Sequence, residues 1–265
     1  MQPQNVNPRE RVVGQFAVVP APTEHVASND RIDAITQKLR HVAIIPDGNR
    51  RWARLQGFPP EVGHRWGFLE VSPTLLASAW QQGIHTVTLW LFSTENWQRP
   101  DREVQNLMSI YEQFLTLMLP IAQHLSVRMH HLGRKDRIPP SLLRVVEQVE
   151  AETSACTDSI FNIALDYGGR DEIVRAMRKL MQLSPTASDI DERLLDTLMD
   201  LDQQPFPYPD LIIRTSGEIR SSGFMPWQSC YSELYFTDKC YPDFTCEDFQ
   251  AAINSFLDRT QRFGK

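Results

Sequence analysis

The stretch that most constrains this chain is His41-Val-Ala-Ile-Ile-Pro-Asp-Gly-Asn-Arg-Arg-Trp-Ala-Arg54. An apolar, β-branched run stops at an acid and a glycine, and paired arginines follow at once. That order reads as a buried strand whose carboxyl end opens into an anion-binding turn, at the edge where open α/β sheets hold ligands. Gly48 lets the backbone come close to a bound group. Arg50, Arg51 and a following helix N-terminus would hold phosphate oxygens. Phosphate repels Asp47 unless a metal bridges the two, so the stretch points to a magnesium–diphosphate site.

Further apolar runs recur at Thr86–Phe92, Val127–Leu132, Ile160–Leu165, Leu211–Ile213 and Glu233–Phe236. Stretches of helical period lie between most of them, including Arg102–Leu119, Ser141–Glu152 and Glu172–Leu183. Alternation of this kind predicts a single α/β domain, with a central, mainly parallel six-stranded sheet flanked by helices. Residues 1–30, rich in Pro, Gln, Val and Asn, read as a flexible extension, and residues 31–265 as the folded domain. Arg31–Leu39 reads as a short helix capped by Asn29 or Asp30. The segment from Cys246 to Phe263 reads as an amphipathic helix ending in Gly264.

With 42% hydrophobic residues, the 265-residue chain can bury a substantial core. A net charge of -6 argues against nucleic acid as a partner. No apolar run approaches the roughly 20 residues of a membrane span, so membrane contact is at most peripheral. The four cysteines form no CxxC pair and read as reduced thiols of a cytoplasmic protein.

A second strand empties into Ser93-Thr-Glu-Asn-Trp-Gln-Arg-Pro100. Ser93, Asn96 and Arg99 supply hydrogen-bonding groups, and Trp97 an aromatic face that suits a cation. Alone, the tract reads better as a capping turn, with Ser93 or Thr94 as N-cap, Trp97 in the core and Glu95 solvated. A third cluster, Asp210 to Ser222, places Arg214, Arg220 and Ser222 where they could hold a diphosphate. Glu233 precedes Leu234-Tyr-Phe and could be a metal ligand; alone, it reads better as an edge-strand ion pair.

Seven tracts occur in order: HVAIIPDGNRRWA, Gly63-His64, FSTENWQRP with Glu103-Val104, Tyr167-Gly-Gly-Arg170, DLIIRTSGEIRSS, SELYF and Arg262-Phe-Gly264. Together they resemble the cis-prenyltransferases, the undecaprenyl diphosphate synthase family, from His41 to Gly264. The resemblance implies a mostly parallel sheet with a hydrophobic tunnel, usually in a homodimer. It implies that Asp47 binds Mg²⁺ and helps an allylic diphosphate leave, and that Gly48, Asn49, Arg50, Arg51 and His64 cradle that diphosphate. Arg214, Arg220 and Ser222 would hold the second diphosphate, and Glu233 would be a metal ligand near the dimer interface. Arg262 and Gly264 would reach the partner's site, and Ser93 and Asn96 would position substrate and assist proton removal. Trp52, Trp90, Phe92 and Trp97 suit a wall that keeps water from a cation, although at least half of them are expected in simple core packing. The implied substrates are isoprenoid diphosphates: dimethylallyl, geranyl or isopentenyl diphosphate.

The chain departs from the family pattern at Pro46 (usually Met), Pro60 (often a phosphate-binding Arg), Asp166 (Asn), Ile219 (often a metal-proximal His), Gly223-Phe-Met-Pro226 and Leu91 (typically Ala in long-chain enzymes). Overpacking a rigid tunnel wall with Leu91 stops elongation early, which predicts a product of roughly ten to fifteen carbons. The altered diphosphate sites fit a short-chain or irregular branch, as in some actinobacterial and plant relatives that couple head to middle into lavandulyl-type skeletons. Regular head-to-tail elongation with isopentenyl diphosphate to a longer product is the alternative. A noncatalytic partner subunit fits worse, because Asp47, Arg51 and the ENW tract persist. A phosphatase or nucleotide-binding enzyme lacks the GxxxxGK[ST] loop.

Overall fold

A computed structural model describes residues 35–259. The expected extension at 1–30, and Arg262 and Gly264, lie outside the described residues. Residues 35–38 are helical, and Ile35 and Leu39 are fully buried.

The six strands are β1 (His41–Ile45), β2 (Thr86–Ser93), β3 (Val127–Leu132), β4 (Ser159–Tyr167), β5 (Leu211–Arg214) and β6 (Glu233–Phe236). They form one sheet in the order β3-β4-β2-β1-β5-β6, and every neighbouring pair is parallel. The sheet is therefore wholly rather than mainly parallel. β1, β2 and β5 have no exposed residue, as expected of strands covered on both faces. Their apolar runs were readable for that reason.

The helices are α1 (Asn49–Leu55), α2 (Pro60–Trp66), α3 (Ser72–Gln81), α4 (Asp101–His124), α5 (Pro140–Glu152), α6 (Gly169–Leu183), α7 (Glu192–Asp196) and α8 (Cys246–Leu257). A π-helical turn, Gly67–Val71, joins α2 to α3. The main core lies where α3, α4, α5 and α8 cover one face of the sheet, around Phe68, Phe92, Tyr111, Phe114, Phe161 and Phe249. The last helix ends at Leu257, with Asp258 as C-cap, rather than running to Phe263. Its buried stripe of Phe249, Ala252, Ile253 and Phe256 ends within it.

From β1 the chain moves to β2 on one side, whereas β5 continues to β6 on the other. The switch point of the sheet is thus the β1–β5 seam, where Ile45 pairs with Arg214. A ligand crevice is expected beyond the carboxyl ends of these two strands.

Candidate active site

Asp47 and Gly48 leave β1 at this switch point. Gly48 has φ 94° and N-caps α1. A Cβ there would lie 2.7 Å from Ser216 Cβ and 2.9 Å from Cys240 Sγ. Glycine is required twice, for the left-handed backbone and for the space. No side chain caps α1, so the N–H groups of its first turn remain available to an anion. Asn49 is buried, and its Nδ2 donates to the Pro46 carbonyl at 2.8 Å. Gly63 of α2 packs against the Asn49 carbonyl, where a Cβ would sit 2.0 Å away. Close packing of α2 on α1 brings His64 into the site.

The Asp47 carboxylate accepts from its neighbour Gly48 N–H at 2.7 Å and from Arg214 Nη2 at 2.8 Å. Thr215 Oγ1 ties the Asp47 backbone to β5 through its N–H at 2.9 Å and its carbonyl at 2.7 Å. Arg214 is 5% exposed, and its Nη1 also donates to Ser222 Oγ at 2.8 Å and to the Arg220 carbonyl. Arg51 donates to the Ser216 carbonyl at 2.6 Å and to Glu218 at 2.8 Å. Arg220 pairs with the second oxygen of Glu218. Held between two guanidiniums, the Glu218 carboxyl lies below the usual carboxylate range.

Asp47, Gly48, Asn49, Arg50, Arg51, His64, Leu91, Ser93, Asn96, Arg99, Arg214 and Ser222 all line one cleft of about 450 Å³. The His64 ring is buried, stacks on Phe68 at 6.5 Å and has no hydrogen-bond partner at either nitrogen. Burial, reinforced by Arg99 and Arg50, lowers its pKa to about 3, so the imidazole is neutral. Arg99 and Arg50 share Glu103, at 3.0 Å and 3.4 Å.

The apolar floor comes from β2 and α4. Trp90 pairs with Ala164 and Phe92 with Leu165, leaving Leu91 as an extra residue in the β2–β4 ladder. The bulge brings Leu91 and Phe92 into the same core as Phe68 and Tyr111. The Tyr111 hydroxyl donates to the Leu91 carbonyl, closing the cleft at this depth. Below it, Phe68 meets Tyr111 edge-on at 5.1 Å, with Phe114 behind.

The Ser93 tract forms the expected capping turn, and two of its residues also reach the cleft. Ser93 and Asn96 form a capping box around the 3-10 turn Thr94–Gln98, Glu95 is exposed, and Ser93 and Asn96 still line the cleft. Trp90 and Phe92 are wall residues, but Trp52 and Trp97 do not line the cleft. Trp52 packs with Trp66 and Phe58 and donates to Asp243 at 2.7 Å. Trp97 packs on Phe92 and donates to Asp166 at 2.8 Å. The Arg220 guanidinium points to Glu218 and is not in the lining.

Glu233 begins β6, in register with Leu211, at the end of the sheet opposite Arg214. It pairs with Arg259 at 2.6 Å, as an edge-strand acid does. Within this chain it does not join Asp47, and the described residues hold no group of three or more metal-ligating side chains.

Four lining residues escaped the sequence reading: Ile45, Arg54, Phe68 and Tyr111. Arg54 follows Arg50 by four positions on α1, a spacing that places both on one helix face. Phe68 sits in the π-helical turn and Tyr111 within an apolar helix stripe, so neither carries a distinguishing signal.

Arginines, a helix N-terminus and one carboxylate surround a cleft with an apolar floor, an arrangement that suits an anion carrying an apolar chain. Residues 45–264 match the family described as "Putative undecaprenyl diphosphate synthase", and the chain belongs to that cis-prenyltransferase family. It is 42% identical over 225 residues to the isoprenyl transferase of Aquifex aeolicus, covering 85% of this chain and 95% of the relative. The isoprenyl transferase of Listeria innocua is 44% identical over 230 residues, with 85% and 90% covered. Lavandulyl diphosphate synthase from Lavandula x intermedia, solved with dimethylallyl diphosphate, superposes with a TM-score of 0.82 at 36% identity, covering 86% of this chain and 99% of that one. A probable undecaprenyl diphosphate synthase from Campylobacter jejuni gives 0.69 at 28% identity, with 86% and 99% covered. The protein is a prenyltransferase.

Proposed function

We propose that the protein joins an allylic diphosphate to a second isoprenoid diphosphate, releases diphosphate and stops at a product of roughly ten to fifteen carbons, because Leu91 overpacks the wall. The carrying observation is the Leu91 bulge, held by Tyr111 across the bottom of the cleft. The α1 N-terminus, Arg50, Arg51 and His64 take the allylic diphosphate; Arg214 and Ser222 take the second, joined by Arg220 once it leaves Glu218. Two facing anion sites hold the reacting carbons together. Trp90, Phe92, Phe68 and Tyr111 exclude water from the allylic cation, while Ser93 and Asn96 orient the acceptor and assist loss of its proton.

Mg²⁺ fits this site, since it is commonly held by one or two carboxylates together with substrate phosphates, and Asp47 offers such a carboxylate. When bound, it would neutralise charge on the departing diphosphate. Glu233, remote from its own Asp47, serves as a metal ligand only across a homodimer. Exposed Tyr208, Tyr231 and Leu234 beside β6 support such an interface. Arg262 and Gly264 would complete the partner's site. Free thiols at Cys156, Cys230, Cys240 and Cys246 support a cytoplasmic setting. None of the described helices is long and apolar enough to cross a membrane.

The coupling is irregular, head to middle, in a short-chain branch such as actinobacterial relatives contain. The likeness to the lavender synthase supports this reading, as do Pro60 at the first turn of α2 and Ile219, 77% exposed, in the Arg214–Ser222 loop. Regular elongation is the second reading, favoured by the identity to isoprenyl transferases. Mass spectrometry of products from dimethylallyl diphosphate alone, and from geranyl with isopentenyl diphosphate, separates them. No product without isopentenyl diphosphate rules out irregular coupling.

A further inference from the structure

Asp166 has no exposed surface and is the penultimate residue of β4, with φ 53°, a left-handed conformation uncommon outside glycine. Its carboxylate is fully engaged. Oδ1 accepts from Trp97 Nε1 at 2.8 Å and from Arg137 Nη2 at 2.5 Å, and Oδ2 accepts from Arg137 Nε at 2.8 Å. The Arg137 guanidinium also lies over the Trp97 ring, 5.7 Å from its centroid. A buried carboxylate with a forked guanidinium partner is a rigid acceptor, because the bidentate pair fixes its plane.

The neighbouring residues grip the same turn. Tyr167 pairs with Ser93, and its carbonyl accepts from Trp90 Nε1 at 3.1 Å. Gly168 lies so close to Thr94 that a Cβ would come within 2.4 Å of Thr94 Oγ1. The end of β4 is therefore a template against which residues 93–97 are set. Trp97 is the only residue of that turn whose side chain is seen bonded to the Asp166 carboxylate.

We propose that Asp166 is a positioning residue for the turn carrying Ser93 and Asn96, and that it acts through Trp97. Arg137 fixes the carboxylate, the carboxylate fixes the indole, and the indole fixes the turn. The catalytic consequence rests on the proposed substrate-facing roles of Ser93 and Asn96, so one arm of the test does not use turnover. Trp97→Phe keeps a ring on Phe92 and removes the N–H. Asp166→Asn keeps an acceptor, tolerates the left-handed backbone and removes the charge paired with Arg137.

Amide hydrogen exchange at residues 93–98 should rise roughly tenfold in Trp97→Phe, as the loss of one charge-assisted hydrogen bond predicts. Its kcat should fall by a similar factor with KM for the prenyl diphosphates little changed. Asp166→Asn should shift both readings in the same direction by less. The double variant should be no worse than Trp97→Phe alone, since the two act in one chain. Wild-type exchange at 93–98 in Trp97→Phe, or additive losses in the double variant, would overturn the proposal. If the wild-type chain turns over no pair of prenyl diphosphates, the functional reading fails, and the exchange result alone decides the role of Asp166.

Discussion

Arg214 Nη2 stands 2.8 Å from Asp47 Oδ2, an ion pair that spans the seam between β1 and β5. It ties the half-buried acid to the end of β5, beside the proposed diphosphate sites. Asp47→Ala removes the carboxylate and leaves the buried Arg214 without that partner. Turnover should fall at least about 100-fold, the scale of losing one electrostatic stabiliser of a transition state. Steady-state assays check this, and chelation of divalent cations should abolish wild-type activity until Mg²⁺ is restored.

Product length should follow Leu91. Leu91→Ala opens space beside Phe92 and Tyr111, and chromatography with mass spectrometry should show longer products. The same change costs stability, about 2 kcal/mol at the low end of core truncations, because the Leu91 side chain faces the cleft as well as the core. An unchanged product length would show that the floor is set elsewhere.

Gly48→Ala should inactivate the protein and lower its melting temperature. The left-handed backbone costs about 1–2 kcal/mol for a residue with a Cβ. Contact with Ser216 and Cys240 adds about 1–3 kcal/mol of overpacking. Calorimetry and a diphosphate-release assay should report both losses together.

Acid should destabilise the fold from a histidine set. Burial lowers His41 and His64 to about 3 and His131 to about 4. Each is neutral when folded and takes up a proton on unfolding below its ordinary value of 6.5. Their stabilising contribution is therefore present above that value and is lost as pH falls toward 4. Each such proton adds about 1.4 kcal/mol per pH unit to the slope. Urea unfolding between pH 8 and about 4.5 should show this decline, and His131→Gln should flatten it by one proton.

β1, β2 and β5 were readable because buried parallel strands are nearly continuous apolar runs closed by turn residues; β3 and β6, partly exposed at the sheet edges, showed only in their β-branched and aromatic residues. The helices between β1 and β2 were less so. α1 and α2 have seven residues each, and Pro59-Pro60, Pro73 and the π-helical turn interrupt any period. At the site, Asp47 to Arg51 and Arg214 announced themselves by charge at a strand end. Trp52 and Trp97 did not reveal which way they face, since an indole serves a wall and a core equally well. The bulge at Leu91 was invisible, because an extra residue in one strand leaves no mark until its partner strand is known. Glu233 carried a real strand-end signal but at the amino end of β6, where it pairs with Arg259.

Because Leu91 has no partner on β4, its side chain is uncoupled from the ladder that aligns β2 with β4. On the proposed reading, substitution there would change the volume at the cleft floor without re-registering a strand. If Leu91 sets product length as proposed, a lineage carrying this bulge could alter what it makes while inheriting the same scaffold, and product diversity and architectural constancy would become independent traits.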